Sequence, residues 1–253
     1  MKASHLKEYL DFASTIAIEA GWLTLEYFMG SVSVESKSDD TPVTEADKQA
    51  EAYIRNRIEE RYPDHSILGE EAGEKVGESS LQWVIDPIDG TQSFIRGVPL
   101  YTVLIALIEE DEPLLGIIHN PPLKETVTGA IGLGCFYYGD FCQVSSTTNL
   151  SEAWVQVTDY ADLSRRRPKL AKRLLEESFS CRTWGDAYGY LLVATGRADV
   201  MIDPIMKIWD IAPLKPIITE AGGVFTDLDG NPVAMGESSI ACNKELHDEV
   251  MRL

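Results

Sequence analysis

The chain has 253 residues, with 41 acidic against 22 basic side chains and a formal charge of −19. That balance repels nucleic-acid phosphates and anionic lipid, which argues against a DNA, RNA or membrane-surface role; an anionic substrate would need bound cations to reverse the local field. Hydrophobic residues make up 44% and aromatics 9%, enough for a sizeable core and too much for disorder to be the default.

The N-terminal run MKASHLKEYLDFASTIAIEAGW carries Glu8, Asp11 and Glu19 and so lacks the unbroken apolar core of a signal peptide. No stretch approaches the ~18 apolar residues of a membrane span, and a cytoplasmic protein is expected. Leu6, Leu10, Ala13, Ala17, Ala20 and Tyr27 recur at helical spacing, predicting a helix over residues 4–29 that Gly30 and the polar run SVSVESKSDD end. A second helix is expected from Thr44, with Ala46, Ala50, Tyr53, Ile54 and Ile58 on one face and Pro63 past its end.

From residue 65 the period changes to that of strands. HSILGEE and LQWVIDPIDG read as strands ending in acidic loops. YTVLIALIEE, PLLGIIHN and KETVTGAIG read as a meander with turns at Asp111-Glu112 and Asn120-Pro121-Pro122, followed by a hairpin around Tyr138-Gly139-Asp140. After residue 150 strands and helices alternate: WVQVTDY, a basic helix near 165–179, CRTW, a helix from Asp186 to Gly196, ADVMID, a helix from Asp210, GVFTDLDG, SSIACN and a closing helix. That alternation argues for a layered α/β arrangement. No repeat or long linker separates the halves on either side of residue 150, so a single domain of two packed halves is expected. The four cysteines, Cys135, Cys142, Cys181 and Cys242, form no C-x-x-C pair, so reduced, mostly buried thiols are expected.

Acidic residues gather at loop and helix starts: Asp47, Glu70-Glu71 in LGEE, Asp86 and Asp89 in DPIDGT, and Asp210 in IWDIAP. Oxygen donors without histidine suit a hard cation such as Mg²⁺. Each has a plainer alternative. Asp47 closes a capping-box variant with Thr44, Asp186 and Asp210 could each be an ordinary helix cap, and Glu70-Glu71 alone could be a solvated loop. DPIDGT is harder to explain that way. Pro87 fixes a turn, Gly90 lets the backbone approach a ligand, and Thr91 opens a short helix whose N–H groups suit an anion. VFTDLDGNP has the strand-Asp-x-Asp-Gly form of a haloacid-dehalogenase-type phosphatase, but the short run after it holds none of that class's further motifs. Asp229-Gly230 is therefore read as a hairpin turn. No serine-hydrolase, zinc-hydrolase or phosphate-loop motif is present, leaving a metal-dependent phosphatase, a phosphate-metabolite binder or a catalytically silent protein.

LGEE, WVIDPIDGTQSF, IWDIAP and EAGG stand in the order and approximate spacing of the inositol monophosphatase family, which the chain resembles from its first helix to about Asn243. The resemblance implies a layered α-β-α-β-α fold, two or three Mg²⁺ ions, a homodimer and hydrolysis of a small phosphate monoester. It implies that Glu70, Asp86 and the Ile88 carbonyl hold one metal, that Asp86, Asp89 and Asp210 hold a second, and that Glu70 supports a third through water. Thr91, hydrogen-bonded to Asp47, would orient the attacking water, while the N–H groups of Gly90 and Thr91 grip the phosphate. The stretch WGDAYGYLLVATGRADVMIDP is similar to the histidinol-phosphatase branch. There Asp186 would meet the substrate ammonium and Asp203 would face the same substrate, with Asp89 and Asp210 also lining its pocket. An inositol-1-phosphate phosphatase is the alternative. Pro213 and Pro216 after Asp210 predict a possible kink in that helix.

Overall fold

The structure, a computed structural model, describes residues 3–30, 34–36, 42–233 and 237–253, so the expected end of the first helix in SVSVESKSDD lies largely outside the described residues. Helix α1 (Ala3–Tyr27) buries Leu6, Leu10, Ala13, Ala17 and Ala20 as the spacing predicts. A short hairpin, β1 (Val34–Ser36) with β2 (Pro42–Thr44), leads into α2 (Glu45–Arg61). Thr44 is the N-cap of α2, so the predicted start is met within one residue.

The next strands are β3 (Ser66–Gly69), β4 (Gly73–Lys75) and β5 (Leu81–Asp89), then helix α3 (Thr91–Ile95). The meander follows as β6 (Thr102–Glu109), β7 (Glu112–Asn120), β8 (Glu125–Ala130), β9 (Gly134–Tyr137) and β10 (Asp140–Phe141). Among the described residues these make one sheet in the order β10-β9-β8-β7-β6-β5-β3-β4. The β6–β7 turn falls one residue earlier than predicted, on Glu110 and Asp111. Both have positive φ (49° and 69°), the two-residue geometry that matches strand twist.

The second half holds β11 (Trp154–Val157), α4 (Tyr160–Arg166), α5 (Pro168–Glu177), β12 (Ser180–Arg182), α6 (Asp186–Ala194) and β13 (Val200–Asp203). It closes with α7 (Ile208–Glu220), β14 (Val224–Thr226), β15 (Ser239–Cys242) and α8 (Lys244–Val250). Its strands form a mixed sheet in the order β12-β11-β13-β15-β14. The single basic helix expected over 165–179 is two helices. Pro168 excludes the helical region for Arg167, whose φ is −134°, and itself takes the first position of α5. Asp229-Gly230 sits in the turn closed by the Gly230 N–H to the Asp227 carbonyl at 3.1 Å, as read.

The layers follow from which faces are apolar. Helices α1 and α2 cover the outer face of the first sheet around Ile16, Ile54, Trp83 and Ile105. Helices α6 and α7 lie between the sheets around Tyr190, Leu191, Leu214 and Ile217. Helices α4, α5 and α8 close the outer face of the second sheet around Val155, Leu163, Leu174 and Leu246. The result is the expected α-β-α-β-α stack, in which each sheet is buried on both faces.

Helix α7 runs without interruption through Pro213 and Pro216, so neither proline ends it. It approaches β7 very closely: a Cβ at Gly116 would fall 1.9 Å from the Pro213 carbonyl oxygen. Among the described residues all four cysteines are free thiols, but they are not all separate. Cys135 and Cys142 face each other across the β9–β10 hairpin with their sulfurs 3.4 Å apart.

Candidate metal and phosphate site

Strand β5 carries a buried apolar run, Trp83-Val84-Ile85, directly into Asp86. Pro87 has no N–H for the ladder, and the register with β6 shifts between Asp86 and Asp89. Within that irregular turn the Asp86 Oδ1 accepts the Ile88 N–H at 3.0 Å. Asp89 Oδ2 accepts the Thr102 hydroxyl at 3.1 Å from β6 and the Ala187 N–H at 2.7 Å from α6. Gly90 then takes φ +83°, a conformation costly for any residue with a Cβ, and caps α3.

Two helices supply further carboxylates by the same local device. Asp47 is the third residue of α2, and its Oδ2 accepts the N–H (2.8 Å) and hydroxyl (2.5 Å) of Thr44. Asp210 is the third residue of α7, and its Oδ2 accepts the Lys207 N–H at 2.7 Å. Each caps its helix, as the plainer reading expects, and each still faces the other acids; the two readings are compatible. The helix expected to begin at Asp210 therefore begins at Ile208, since a capping carboxylate can act from the third position.

The carboxylate oxygens of Asp86, Asp89 and Asp210 lie within 4.8 Å of one another, although they come from one turn of the first sheet and the start of α7. Glu70 joins them through strand pairing: Gly69 is in register with Ile85, and the Glu70 N–H donates to the Ile85 carbonyl at 3.2 Å. Electrostatics records this crowding. Burial first, then the charges of Glu70, Asp89, Asp210 and Asp47, push Asp86 well above the usual carboxylate range. Burial, then Asp186 and Asp210, do the same to Asp89. Burial raises Asp210 to about 7 and Asp47 to about 6, with Glu70 adding to both.

Two expectations and one plainer alternative need correction. Thr91 does not bond Asp47; its hydroxyl donates to the Ile88 carbonyl at 3.1 Å, a bond three residues back that costs little chain entropy. Asp47 Oδ1 is left buried with no hydrogen-bond partner among the described residues. Asp186 does not cap α6. Gly185 holds that position, the helix N–H goes to Asp89, and Asp186 itself takes φ +52°. Its Oδ2 lies over Gly90, 2.8 Å from where a Cβ there would stand, and burial raises it to about 6. A non-glycine residue held at positive φ beside the acids is strain concentrated at the site. Asp203 is enclosed rather than open to the pocket: its carboxylate accepts the Thr158 hydroxyl at 2.8 Å and the Ile205 N–H at 3.1 Å. Burial, with smaller contributions from Asp210 and Asp186, raises it to about 8.

Sequence reasoning did not single out Thr102, Thr158 or the Ala187 N–H, which hold Asp89 and Asp203. They sit on β6, just after β11 and on α6, and no local pattern connects them to the acids.

The donor set suits a hard cation. It is all oxygen, its charges repel one another when buried, and Asp47 Oδ1 has no donor to meet it. Burying so many carboxylates costs stability unless protons or cations neutralise them.

Comparison with known proteins agrees with this geometry. Residues 5–253 match the inositol monophosphatase family. The chain is 43% identical over 242 residues to the histidinol-phosphatase of Chlorobaculum parvum, covering 94% of this chain and 93% of that protein. It is 35% identical over 257 residues to the fructose-1,6-bisphosphatase/inositol-1-monophosphatase of Aquifex aeolicus, covering 98% and 96%. Among solved structures, the extragenic suppressor protein suhB of Bartonella henselae superposes with a TM-score of 0.92 at 27% identity, over 97% of each chain.

Proposed function

We propose, from the premise that the chain belongs to the inositol monophosphatase family and is a phosphatase, that it hydrolyses histidinol phosphate to histidinol and phosphate with Mg²⁺ bound. The observation that carries this reading is the Asp186 carboxylate lying over Gly90, beside the convergent Asp86, Asp89 and Asp210. A phosphate on the Gly90 and Thr91 N–H groups would leave an ammonium-bearing leaving group next to Asp186.

In this reading Glu70, Asp86, the Ile88 carbonyl, Asp89 and Asp210 would hold two or three ions. When bound, Mg²⁺ supplies a lowered water pKa and charge compensation on phosphate and leaving oxygens. The chain's own groups do the rest. Gly90, kept without a side chain, leaves room for the Asp186 carboxylate beside the backbone, and its N–H with that of Thr91 would stabilise the negative charge of the phosphate. The Thr91 hydroxyl oxygen orients the attacking water while its proton stays on the Ile88 carbonyl, and Asp47, whose Oδ1 has no hydrogen-bond partner among the described residues, would take the proton that water releases. Asp89 and Asp210 line the substrate side. Asp203, bonded to Thr158 and Ile205, acts by holding β13 rather than by contact with the substrate. A single domain, a homodimer and a cytoplasmic location belong to the same reading.

One observation favours the inositol-1-phosphate alternative: enclosure of Asp203 removes one of the two carboxylates expected to meet an ammonium. The deciding experiment compares kcat/KM for histidinol phosphate and inositol-1-phosphate, in Mg²⁺ and in chelator. Preference for histidinol phosphate by at least about tenfold, abolished by chelator, is expected, since one charge-assisted contact contributes about that factor. Equal rates on both substrates sink the substrate assignment, and chelator-resistant activity sinks the metal.

A further inference from the structure

One turn beyond Asp47 on the same face of α2, Glu51 is 1% exposed and its carboxylate is fully engaged. Oε2 accepts the Glu71 N–H at 2.7 Å, while Oε1 accepts the Ala72 N–H at 3.0 Å and the Arg55 Nε at 2.7 Å. Arg55 also donates to the Gly73 carbonyl, so the turn between β3 and β4 is gripped on consecutive backbone groups by one buried ion pair. The space is tightly filled: a Cβ at Gly69 would fall 2.2 Å from Glu51 Oε1. Glu70 sits inside this grip, between Gly69 and the clamped Glu71 N–H.

We propose that Glu51 is a positioning residue for the metal centre, its carboxylate clamping the backbone after Glu70 so that the Glu70 side chain is aimed at Asp86; this rests on the proposed metal-ligand role of Glu70. The chemistry selects the residue type. Two adjacent N–H donors and a guanidinium require two acceptor oxygens on one long side chain, which only an ionised glutamate supplies. Glutamine would set an amide donor against one of the N–H groups, and aspartate is one methylene too short. Asp47 and Glu51 stand four residues apart on the same helix face. Helix α2 thus places Asp47 directly and Glu70 through the clamp, and the spacing of these two groups is set by one rigid element. Partners that orient metal ligands carry roughly 10–100-fold effects on metal affinity or activity.

The test measures Mn²⁺ binding to the full-length protein by paramagnetic resonance, beside Mg²⁺-dependent turnover. Glu51→Gln is expected to weaken Mn²⁺ binding about 10–100-fold and to raise the Mg²⁺ needed for half-maximal activity by a similar factor. At saturating metal, KM for substrate should stay close to wild type. Glu51→Asp should not rescue binding. Glu59→Gln, on the same helix but paired with Lys75 outside the turn, should bind like wild type. Wild-type Mn²⁺ affinity in Glu51→Gln, or lost turnover with unchanged metal affinity, overturns the proposal. If Glu51→Gln does not fold, Arg55→Lys serves, since it keeps the positive charge but loses the fork to Gly73; unchanged Mn²⁺ affinity in that variant overturns the proposal equally. Asp86→Asn separates the two readings. If it binds Mn²⁺ as tightly as wild type, the metal centre itself has been misassigned, whatever Glu51→Gln does.

Discussion

The Asp89 carboxylate accepts the N–H of Ala187, the second residue of helix α6, at 2.7 Å. One oxygen of a proposed metal ligand thus fixes the helix on which the proposed substrate-selecting residue, Asp186, is carried. Chemistry and specificity share a hydrogen bond, so a change at either end is expected at the other. Asp186 stays beside Gly90 at positive φ because the helix start next to it is tethered.

Asp86→Asn is expected to abolish turnover while leaving the fold nearly intact. The substitution keeps the shape and removes a charge that four neighbouring carboxylates already disfavour. In chelator the melting temperature should therefore hold or rise. Wild-type turnover with Mg²⁺ would refute the assignment of the ligand set.

Asp186→Ala is expected to lower kcat/KM for histidinol phosphate by about 10–100-fold, the magnitude of one charge-assisted contact, with less than about threefold change on inositol-1-phosphate. Parallel steady-state measurements on the two substrates check this. Equal loss on both would make Asp186 part of the general machinery rather than a selector.

Without metal, stability should fall as pH rises. Asp47 and Asp186 at about 6, Asp210 at about 7 and Asp203 at about 8 all stand above the ordinary value of 3.8. Between these values the folded state binds more protons than the unfolded one, so the unfolding free energy declines with pH. The contribution is complete below about 4 and is lost as pH rises through about 8. Thermal melts in chelator across that window should show a declining midpoint, and Mg²⁺ should restore stability most at the alkaline end. A midpoint that climbs with pH in chelator would contradict the crowding of these acids.

Thr91→Ala is expected to reduce kcat by about 10²–10⁴-fold, the range for disabling general acid–base catalysis when the water is no longer held toward Asp47, while Thr91→Ser keeps most of it. The serine hydroxyl retains both the bond to Ile88 and the oxygen that orients the water, so rescue separates hydroxyl chemistry from methyl packing. Activity of Thr91→Ala within tenfold of wild type would remove Thr91 from the positioning of the water.

Gly116→Ala places a Cβ 1.9 Å from the Pro213 carbonyl oxygen, where two backbones must separate. Overpacking of this kind costs about 1–3 kcal/mol, a drop of several degrees in the melting midpoint of a chain this long. Because α7 carries Asp210, weaker Mn²⁺ binding should accompany the loss. An unchanged midpoint would mean that α7 can shift on the sheet at little cost.

Most elements were legible from the chain because their signals are local. Helical spacing placed α1 and α2, alternation and turn residues placed the meander, and Thr44 with Asp47 announced a cap that the structure contains. Where local rules compete, the reading slipped. Arg167 before Pro168 broke a helix that charge pattern alone ran together, and the β6–β7 turn moved to Glu110 and Asp111 because strand twist prefers two residues of positive φ.

The sequence by itself determined which residues are acidic, where strands end in DPIDGT and LGEE, and the start of α2 at Thr44 with Asp47 as its capping partner. These depend on neighbours a few positions away. Only the tertiary structure decided that Asp86, Asp89 and Asp210 meet within 4.8 Å, that Cys135 faces Cys142 and that Glu51 grips the backbone beyond Glu70. The same holds for Thr91, which turns to Ile88 instead of Asp47, and for Asp203, which is enclosed by Thr158 and Ile205. The physical reason is that a carboxylate's partners are chosen by which strands pair and which helix faces pack. Those choices are made by packing over the whole molecule, and no spacing along the chain records them.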